Sequence, residues 1–429
     1  MGNIQKFINL RRCMKNQWLT TSELEKLQFK MLKSILTHSY KNIPLYHQKF
    51  KSAGIYPDDI KSLEDIKKIP ITTKQDIKDH YPHGTIARGV DTSKCWKPHT
   101  SGSTGKPLTM VYCTKDEDYQ KAVALRPNLA CGQKVRDKWA VITASYQAKP
   151  KKWFQKLRIF APEYISLFED VNQQIEFLEK FNPKILDGYA TSIFLLAKEL
   201  KDQDHLKIKP KIIFTTAEML MENMRKTIES TFQQKIYDQF GCVELGRTAW
   251  ECPEHSGYHM DMDSVLMEFI SNGEEVSPGE RGEIIYTGLY NYTMPLIRYS
   301  IGDVAIPSDE KCNCGRGLKL MESIEGRKDS FIQTPTGKIY SPIIWTIILR
   351  PFSQINQFKV TQEKIDHIVI EITKTKDFTN ETLTAVKERI DQYLGQEDIH
   401  FQFEIVDEIS RKGNKKLKSV ESKINIKWN

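Results

Sequence analysis

Thr100-Ser101-Gly102-Ser103-Thr104-Gly105-Lys106-Pro107-Leu108 is the most informative stretch of this 429-residue chain. From Thr100 to Gly105 it offers four hydroxyls and two glycines, so backbone N–H and side-chain O–H groups can face one ligand together. Lys106 adds a positive charge. Oriented N–H groups form an anion-binding concavity, and the loop is therefore suited to wrapping a polyphosphate. It is not a Walker A loop: Gly102 precedes Gly105 by three and Pro107 follows Lys106, where Ser or Thr is required. The same composition suits a solvated turn or linker. The rest of the chain decides between the two.

Length and composition set the frame. A chain of 429 residues is too long for one ordinary core and suits two or three domains. With 39% hydrophobic and 10% aromatic residues it is a globular protein and not a disordered one. The net charge of +8, from 63 basic and 55 acidic residues, is spread widely. It points to anionic small molecules as readily as to nucleic acid, and no nucleic-acid partner is expected. No apolar run is long enough to span a bilayer, and Met1–Trp18 has basic residues but no apolar core with a cleavage site. A cytoplasmic location is therefore expected, with the eight cysteines as thiols or metal ligands.

Secondary-structure signals run in a clear order. Ser22-x-x-Glu25 reads as a capping box, followed by Leu24, Leu27, Met31 and Ile35 at helical spacing. Asn42-Ile43-Pro44-Leu45-Tyr46 and Lys68-Ile69-Pro70-Ile71-Thr72-Thr73-Lys74 read as proline-punctuated loops between short helices. Short apolar runs at Trp139–Thr143, Lys184–Leu186, Ile212–Thr215 and Lys235–Tyr237 alternate with helical patterns such as Ser192–Leu200 and Glu222–Phe232. Buried strands alternating with helices predict an α/β fold with a largely parallel sheet. Val265–Ile270 and Gly282–Thr287, joined through Pro278-Gly279, read as an antiparallel addition. Beyond Asp329 the pattern becomes a small α+β unit. Ile368, Ile370 and Ile372 alternate on one strand, and Phe401, Phe403 and Ile405 on another. Between them a helix over 380–394 carries Leu383, Val386, Ile390 and Leu394 and is stopped by Gly395.

Three further segments carry chemistry. Tyr237-Asp238-Gln239-Phe240-Gly241-Cys242-Val243-Glu244 offers an aromatic that can stack on a flat base and a carboxylate that can hold Mg²⁺ beside phosphate oxygens. It also reads as an ordinary strand exit. Arg298-Tyr299-Ser300-Ile301-Gly302-Asp303 offers a carboxylate for ribose hydroxyls, or a simple Arg298–Asp303 ion pair. Ile409–Lys418 is a glycine-containing basic loop, which reads equally as a solvated tail.

In this order the segments resemble the adenylate-forming enzyme superfamily, in the branch of phenylacetate–CoA ligases and CapK-type capsular-polysaccharide proteins. The matches run from the Asn42–Tyr46 and Pro70–Lys74 loops, through Thr100–Lys106, Ala217-Glu218 and Phe240–Glu244, to Arg298–Asp303. They end with Gly326-Arg327-Lys328-Asp329 and the lysine loop. The resemblance implies a large N-terminal adenylation domain over 1–328 and a small mobile C-terminal domain over 329–429. It also implies ATP-dependent activation of a carboxylic acid through an acyl-adenylate, with pyrophosphate released.

On that resemblance, Thr100, Ser101, Gly102, Ser103, Thr104, Gly105 and Lys106 hold the β- and γ-phosphates. Ala217, Glu218 and Phe240, with Gly241, line the adenine. Asp303 takes the ribose hydroxyls, Glu244 binds Mg²⁺, Arg327 lies at the nucleotide and Asp329 is the hinge. Lys416 is the mobile catalytic lysine, with Lys415 as the alternative. CoA is the default acyl acceptor, and an amine or hydroxyl on a sugar is the other. The branch also implies a homodimer.

Val243 departs from the pattern, which has Ser or Thr before the glutamate. The missing hydroxyl removes a hydrogen bond to a charged group, a loss of roughly 1.5–3 kcal/mol. A second function therefore stands beside ligation: a catalytically weakened nucleotide-binding member acting as an assembly factor. The segment 143–159 carries Lys149, Lys151, Lys152 and Lys156, which leans toward a polar or acidic substrate, or is a solvated loop.

Cysteines form a separate constellation. Cys252-x-x-His255 and Cys312-x-Cys314 are two short-spaced pairs from different segments, the usual construction of a closed structural zinc site, with His259 competing with His255 for the fourth place. Cys13, Cys95, Cys113, Cys131 and Cys242 have no matching partners and read as packing residues.

Overall fold

A computed structural model describes residues 2–100, 107–143, 152–201, 207–327, 330–340, 342–349, 351–395, 397–409 and 419–424. Among them a mixed sheet of 13 strands organises the first three quarters of the chain. Its parallel half runs in the spatial order Pro162–Ser166, Trp139–Thr143, Ile185–Tyr189, Ile212–Thr216, Ile236–Cys242. Four of these overlap the apolar runs expected to be buried strands; Pro162–Ser166, at the end of the sheet, was not expected. The helices Val171–Phe181, Ala190–Leu200 and Glu222–Phe232 fall between them in sequence and share one apolar core with them.

After Cys242 the sheet turns antiparallel through Gly246–Glu251, Tyr258–Met260, Leu320–Arg327, Tyr299–Ser308, Gly282–Gly288 and Val265–Ser271. The last two are the antiparallel addition expected from their turn. The N-terminal segment packs on this half and shares its core, with Leu24, Leu32, Ile35, Tyr46 and Phe50 buried beside Trp250, Tyr286 and Tyr299. Thr72–Thr73 is a parallel strand on Tyr299–Ser300.

Local signals were read correctly in kind and not always in place. The first long helix is Thr21–Asn42, and its capping box is Thr20/Glu23, two residues earlier than Ser22/Glu25. Glu25 instead meets Lys319 at 2.7 Å on the surface. Both pairs satisfy the spacing of a capping box, and the one whose Thr20 backbone is extended takes the cap. At Asn42-Ile43-Pro44 there is no loop but a single break at Ile43, with Pro44 opening the helix Pro44–Ser52.

The C-terminal segment has its own sheet in the order His400–Ile405, His367–Lys374, Ile355–Lys364, Val420–Ser422, with the helix Asn380–Leu394 packed against it. Thr379 caps that helix and Gly395, at φ 77°, ends it. Lys328 and Asp329 lie outside the described residues. They separate the last-placed strand of the large sheet, Leu320–Arg327, from the hairpin Ile332–Gln333/Ile339–Tyr340. No helix among the described residues is long and apolar enough to cross a membrane.

Candidate active site

The flanks of the Thr100–Leu108 stretch pair with each other. Trp96 and Tyr112 exchange backbone hydrogen bonds at 2.9 and 3.0 Å, and Thr100 donates its N–H to Leu108 at 2.9 Å. Leu108 returns a bond to the Thr100 hydroxyl at 2.9 Å, so buried Thr100 is fixed from both sides. Ser101, Gly102, Ser103, Thr104, Gly105 and Lys106, which follow Thr100 in the sequence, lie outside the described residues.

Tyr112 ties this hairpin to the next segment. Its hydroxyl donates to the Glu244 carbonyl at 2.6 Å, while Tyr290 donates to the Leu245 carbonyl at 2.7 Å. The turn they hold reverses the chain from Ile236–Cys242 into Gly246–Glu251. Gly241 permits the reversal: a Cβ there would stand 2.2 Å from the Gly246 carbonyl oxygen. Gly246 itself has φ +74° and is crossed by the Gln120 side chain. The glycine expected at a nucleotide base therefore has a backbone reason of its own.

Glu244 is buried, with Lys74 Nζ 3.6 Å from its Oε1. Lys74 is delivered by the Thr72–Thr73 strand and the Thr73/Asp76 capping box. Asp303 and Arg327 are directly opposite on neighbouring antiparallel strands. Arg327 Nε donates to Asp303 Oδ1 at 3.2 Å, and Tyr286 donates to Oδ2 at 2.9 Å. Burial raises the Asp303 carboxyl above its ordinary range, the Arg327 guanidinium opposes the rise, and the negative charge of Glu244 adds to it. Two carboxylates within electrostatic reach of one another, one of them held by an arginine, have the chemistry to receive a cation or a hydroxyl-bearing ligand.

The Arg298–Asp303 ion pair does not form. Arg298, at φ 45°, binds Glu268 through Nε at 3.1 Å and Nη2 at 2.9 Å, and donates through Nη1 to the carbonyls of Lys67 and Ile69. It is a buried brace for the N-terminal segment, and Asp303 is left to Arg327 and Tyr286.

Phe240 is half-buried on its strand. Ala217 is exposed and left-handed at φ 68°. Glu218 accepts from the Thr191 N–H at 3.1 Å, at the start of the helix Ala190–Leu200. This loop comes close to the Arg327 strand, since a Cβ on Gly326 would meet Met219 Cε at 2.8 Å and Pro342 Cγ at 3.1 Å. Asp329, Lys415 and Lys416 lie outside the described residues. Tyr112, Tyr286 and Tyr290 were missed, because a tyrosine with a structural hydroxyl looks like any other core aromatic in sequence.

The cysteine cluster assembles with one substitution. Cys252, Cys312, Cys314 and His259 place their ligand atoms within 4.8 Å of one another. Cys252 and Cys312 sulfurs are 3.5 Å apart, and His259 Nε2 is 3.3 Å from Cys314 Sγ. His255 is not in the group. It sits left-handed at φ 51° in the turn after Cys252, with its ring stacked on Tyr237 at 5.1 Å. His259 belongs to the strand Tyr258–Met260, where it is buried beside the thiols.

Comparison with known proteins identifies the relatives of the chain. Residues 331–423 match the family model of the CapK C-terminal domain. The chain is 30% identical over 329 residues to the phenylacetate–coenzyme A ligase of Aromatoleum evansii, covering 72% of each. To protein CapK of Staphylococcus aureus it is 25% identical over 410 residues, 92% of this chain and 88% of that one. The crystal structure of 2-hydroxyisobutyryl-CoA ligase in the postadenylation state shares the fold, with a TM-score of 0.78 at 19% identity over 95% of this chain and 91% of that one. The chain belongs to the adenylate-forming family of phenylacetate–CoA ligases and CapK-type proteins.

Proposed function

We propose that this chain is an AMP-forming ligase that activates a carboxylic acid with ATP and passes the acyl group to a second substrate. The observation that carries the reading is the facing of Asp303 and Arg327 beside Glu244, in a chain of this family. A carboxylate is a poor electrophile. Its oxygen attacks the α-phosphorus of ATP, the bond to pyrophosphate breaks, and an acyl-adenylate remains. Negative charge accumulates in that step, so positioning and electrostatic stabilisation do most of the work.

In this reading the Thr100–Lys106 loop grips the β- and γ-phosphates from a hairpin pinned at Thr100. Ala217, Glu218 and Phe240 border the adenine, and Asp303 receives the ribose hydroxyls while Arg327 holds its carboxylate in place. Glu244, a buried hard oxygen donor, would hold Mg²⁺, which supplies charge neutralisation at the phosphates. Lys416 neutralises charge between acid and α-phosphate, and Asp329 is the hinge on which the C-terminal segment reorients for acyl transfer. The acceptor is CoA, as in the names of the ligase relatives, or an amine or hydroxyl on a sugar. The match along almost the whole of CapK supports a place in polysaccharide biosynthesis.

ATP–pyrophosphate exchange tests this. Exchange that depends on an added carboxylic acid, and falls at least a hundredfold in Lys416→Ala, is the expected result. Exchange absent with every acid in a broad panel sinks the ligase and leaves the nucleotide-binding assembly factor. Val243, exposed and without a hydroxyl, favours that second reading.

The Cys₃His cluster fits zinc. Tetrahedral ligation with Zn–S near 2.3 Å places sulfurs about 3.8 Å apart, close to the arrangement of Cys252 and Cys312. We infer a structural Zn²⁺ on Cys252, His259, Cys312 and Cys314. Metal analysis of the purified protein should find one zinc per chain, lost in Cys312→Ser and kept in His255→Ala; zinc retained by Cys312→Ser overturns it.

A further inference from the structure

Behind the Glu244 turn lies a second group of polar side chains to which no role has been assigned. Arg247 stands three residues after Glu244 and opposite Gly241 in the sheet register. Its guanidinium carries five N–H donors. Only Nη1 has partners among the described residues, the Ala124 carbonyl at 2.6 Å and Asn128 Oδ1 at 3.4 Å. Nε and Nη2 have none, and Arg247 forms no ion pair there. Asp187, Asp261 and Asp238 act on it only from a distance, which offsets its charge without using its donors.

The neighbours of Arg247 repeat this pattern. Gln239 also reaches Asn128 Oδ1 through Nε2, at 3.4 Å, so the two side chains converge on one atom. Asn128 in turn donates to Gln133 Oε1 at 2.8 Å. Gln239 and Gln133 are buried, yet Gln239 Oε1 accepts nothing and Gln133 Nε2 donates to nothing. Buried polar atoms are ordinarily paired. Around Asn128 there is thus an unused acceptor, a buried unused donor and two guanidinium nitrogens whose three N–H donors have no partner among the described residues.

From this pattern we infer that Arg247 and Gln239 bind a hydroxyl on the acyl part of the substrate acid, so that the acid activated at this site is a hydroxylated one. A hydroxyl is the small group that both accepts, from Arg247, and donates, to Gln239 Oε1. A second carboxylate would satisfy Arg247 and face the Gln239 carbonyl oxygen with no proton to give. An unsubstituted acyl chain would leave both unpaired. The lysines of 143–159 are not needed for this selectivity: Lys152 sits beside Lys6, on the N-terminal helix.

The inference rests on the ligase reading, and one experiment separates the two. Acid-dependent ATP–pyrophosphate exchange is measured on the full chain with matched sets: butyrate, 4-hydroxybutyrate and succinate; phenylacetate, 4-hydroxyphenylacetate and 4-carboxyphenylacetate. The expected result is a kcat/KM at least about tenfold higher for the best hydroxy acid than for its unsubstituted and carboxylated partners, since a site built to pair a hydroxyl rejects analogues lacking one. Arg247→Met and Gln239→Leu should each bring that ratio close to one, and Arg247→Lys should restore part of it. Thermal melting confirms that the variants are folded, and Arg247→Lys carries the test if Arg247→Met is not. Exchange driven best by unsubstituted acids or dicarboxylates overturns the inference and leaves the ligase standing. So does an equal fall for all acids in Arg247→Met and Gln239→Leu, the mark of a merely structural cluster. Silence across the panel overturns the ligase reading, and this inference with it.

Discussion

Two arginine–carboxylate pairs sit near the strand Tyr299–Ser308 and serve opposite ends. In the Arg298–Glu268 pair the arginine side chain is 7% exposed, binds the carboxylate through two nitrogens and braces two backbone carbonyls. In the Arg327–Asp303 pair the arginine is 44% exposed, and its carboxylate partner is shared with the Tyr286 hydroxyl. The first pair ties the segment before Thr72 to the sheet. The second leaves its guanidinium partly exposed to solvent. Burial and spent donors mark a structural pair; an accessible guanidinium against a buried carboxylate marks one that can meet a ligand.

The sharpest way to break this contrast is to remove each arginine. Arg298→Met strands buried Glu268 and also removes the bonds to the Lys67 and Ile69 carbonyls, and should cost roughly 3–5 kcal/mol. Arg327→Met also leaves a buried carboxylate, but Tyr286 still donates to Asp303 and the arginine it loses is partly solvent-exposed, so the cost should be smaller, roughly 1–2 kcal/mol. Denaturant unfolding of the two variants measures both, and equal losses would erase the distinction. Asp303→Asn comes next. It should raise the KM for ATP about tenfold to a hundredfold with little change in unfolding, because hydrogen bonds to a charged group are worth about 1.5–3 kcal/mol.

The smallest effect concerns a carboxylate buried without a guanidinium partner of its own. Asp238 accepts from the Thr215 hydroxyl at 2.7 Å and Tyr258 at 2.8 Å. Burial, with the charge of Glu251 adding and that of Arg225 opposing, pushes its carboxyl up to about 7. The folded state then holds a proton that the unfolded chain has released. Stability from this group is therefore present near pH 4 and lost as pH rises toward 7. Asp238→Asn should flatten that slope in unfolding experiments run between pH 4.5 and 7.5; an unchanged slope would assign it to other groups.

Much of this was legible in the sequence because it depended on spacing. The buried strands, the helix over 380–394 with its Gly395 stop, and the hairpin of Val265–Ser271 with Gly282–Gly288 follow from period and turn chemistry. The errors have a common cause. Ser22/Glu25 and Thr20/Glu23 are equally good caps on paper, and only the backbone at Thr20 separates them. Cys252-x-x-His255 has metal-ligand spacing, but a left-handed residue in the turn sends His255 to Tyr237 while His259 arrives from the next strand. Arg298 and Asp303 are five residues apart and still find different partners, because Glu268 and Arg327 come from strands no local pattern can see.

The stitching of Thr72–Thr73 onto Tyr299–Ser300 has a consequence for how the chain is made. Tyr46 accepts from the Ile297 N–H across 251 residues, and Asn16 donates to Asp263 across 247. The segment holding Asn16 and Tyr46 is thus synthesised well before the antiparallel half that completes its core. Contacts of such separation are slow to form, since the intervening loop must be ordered before they repay it. The faces of the helices Thr21–Asn42 and Pro44–Ser52 that pack on that half stay uncovered until it has been made, and this is the stage at which chaperone dependence or misassembly should concentrate.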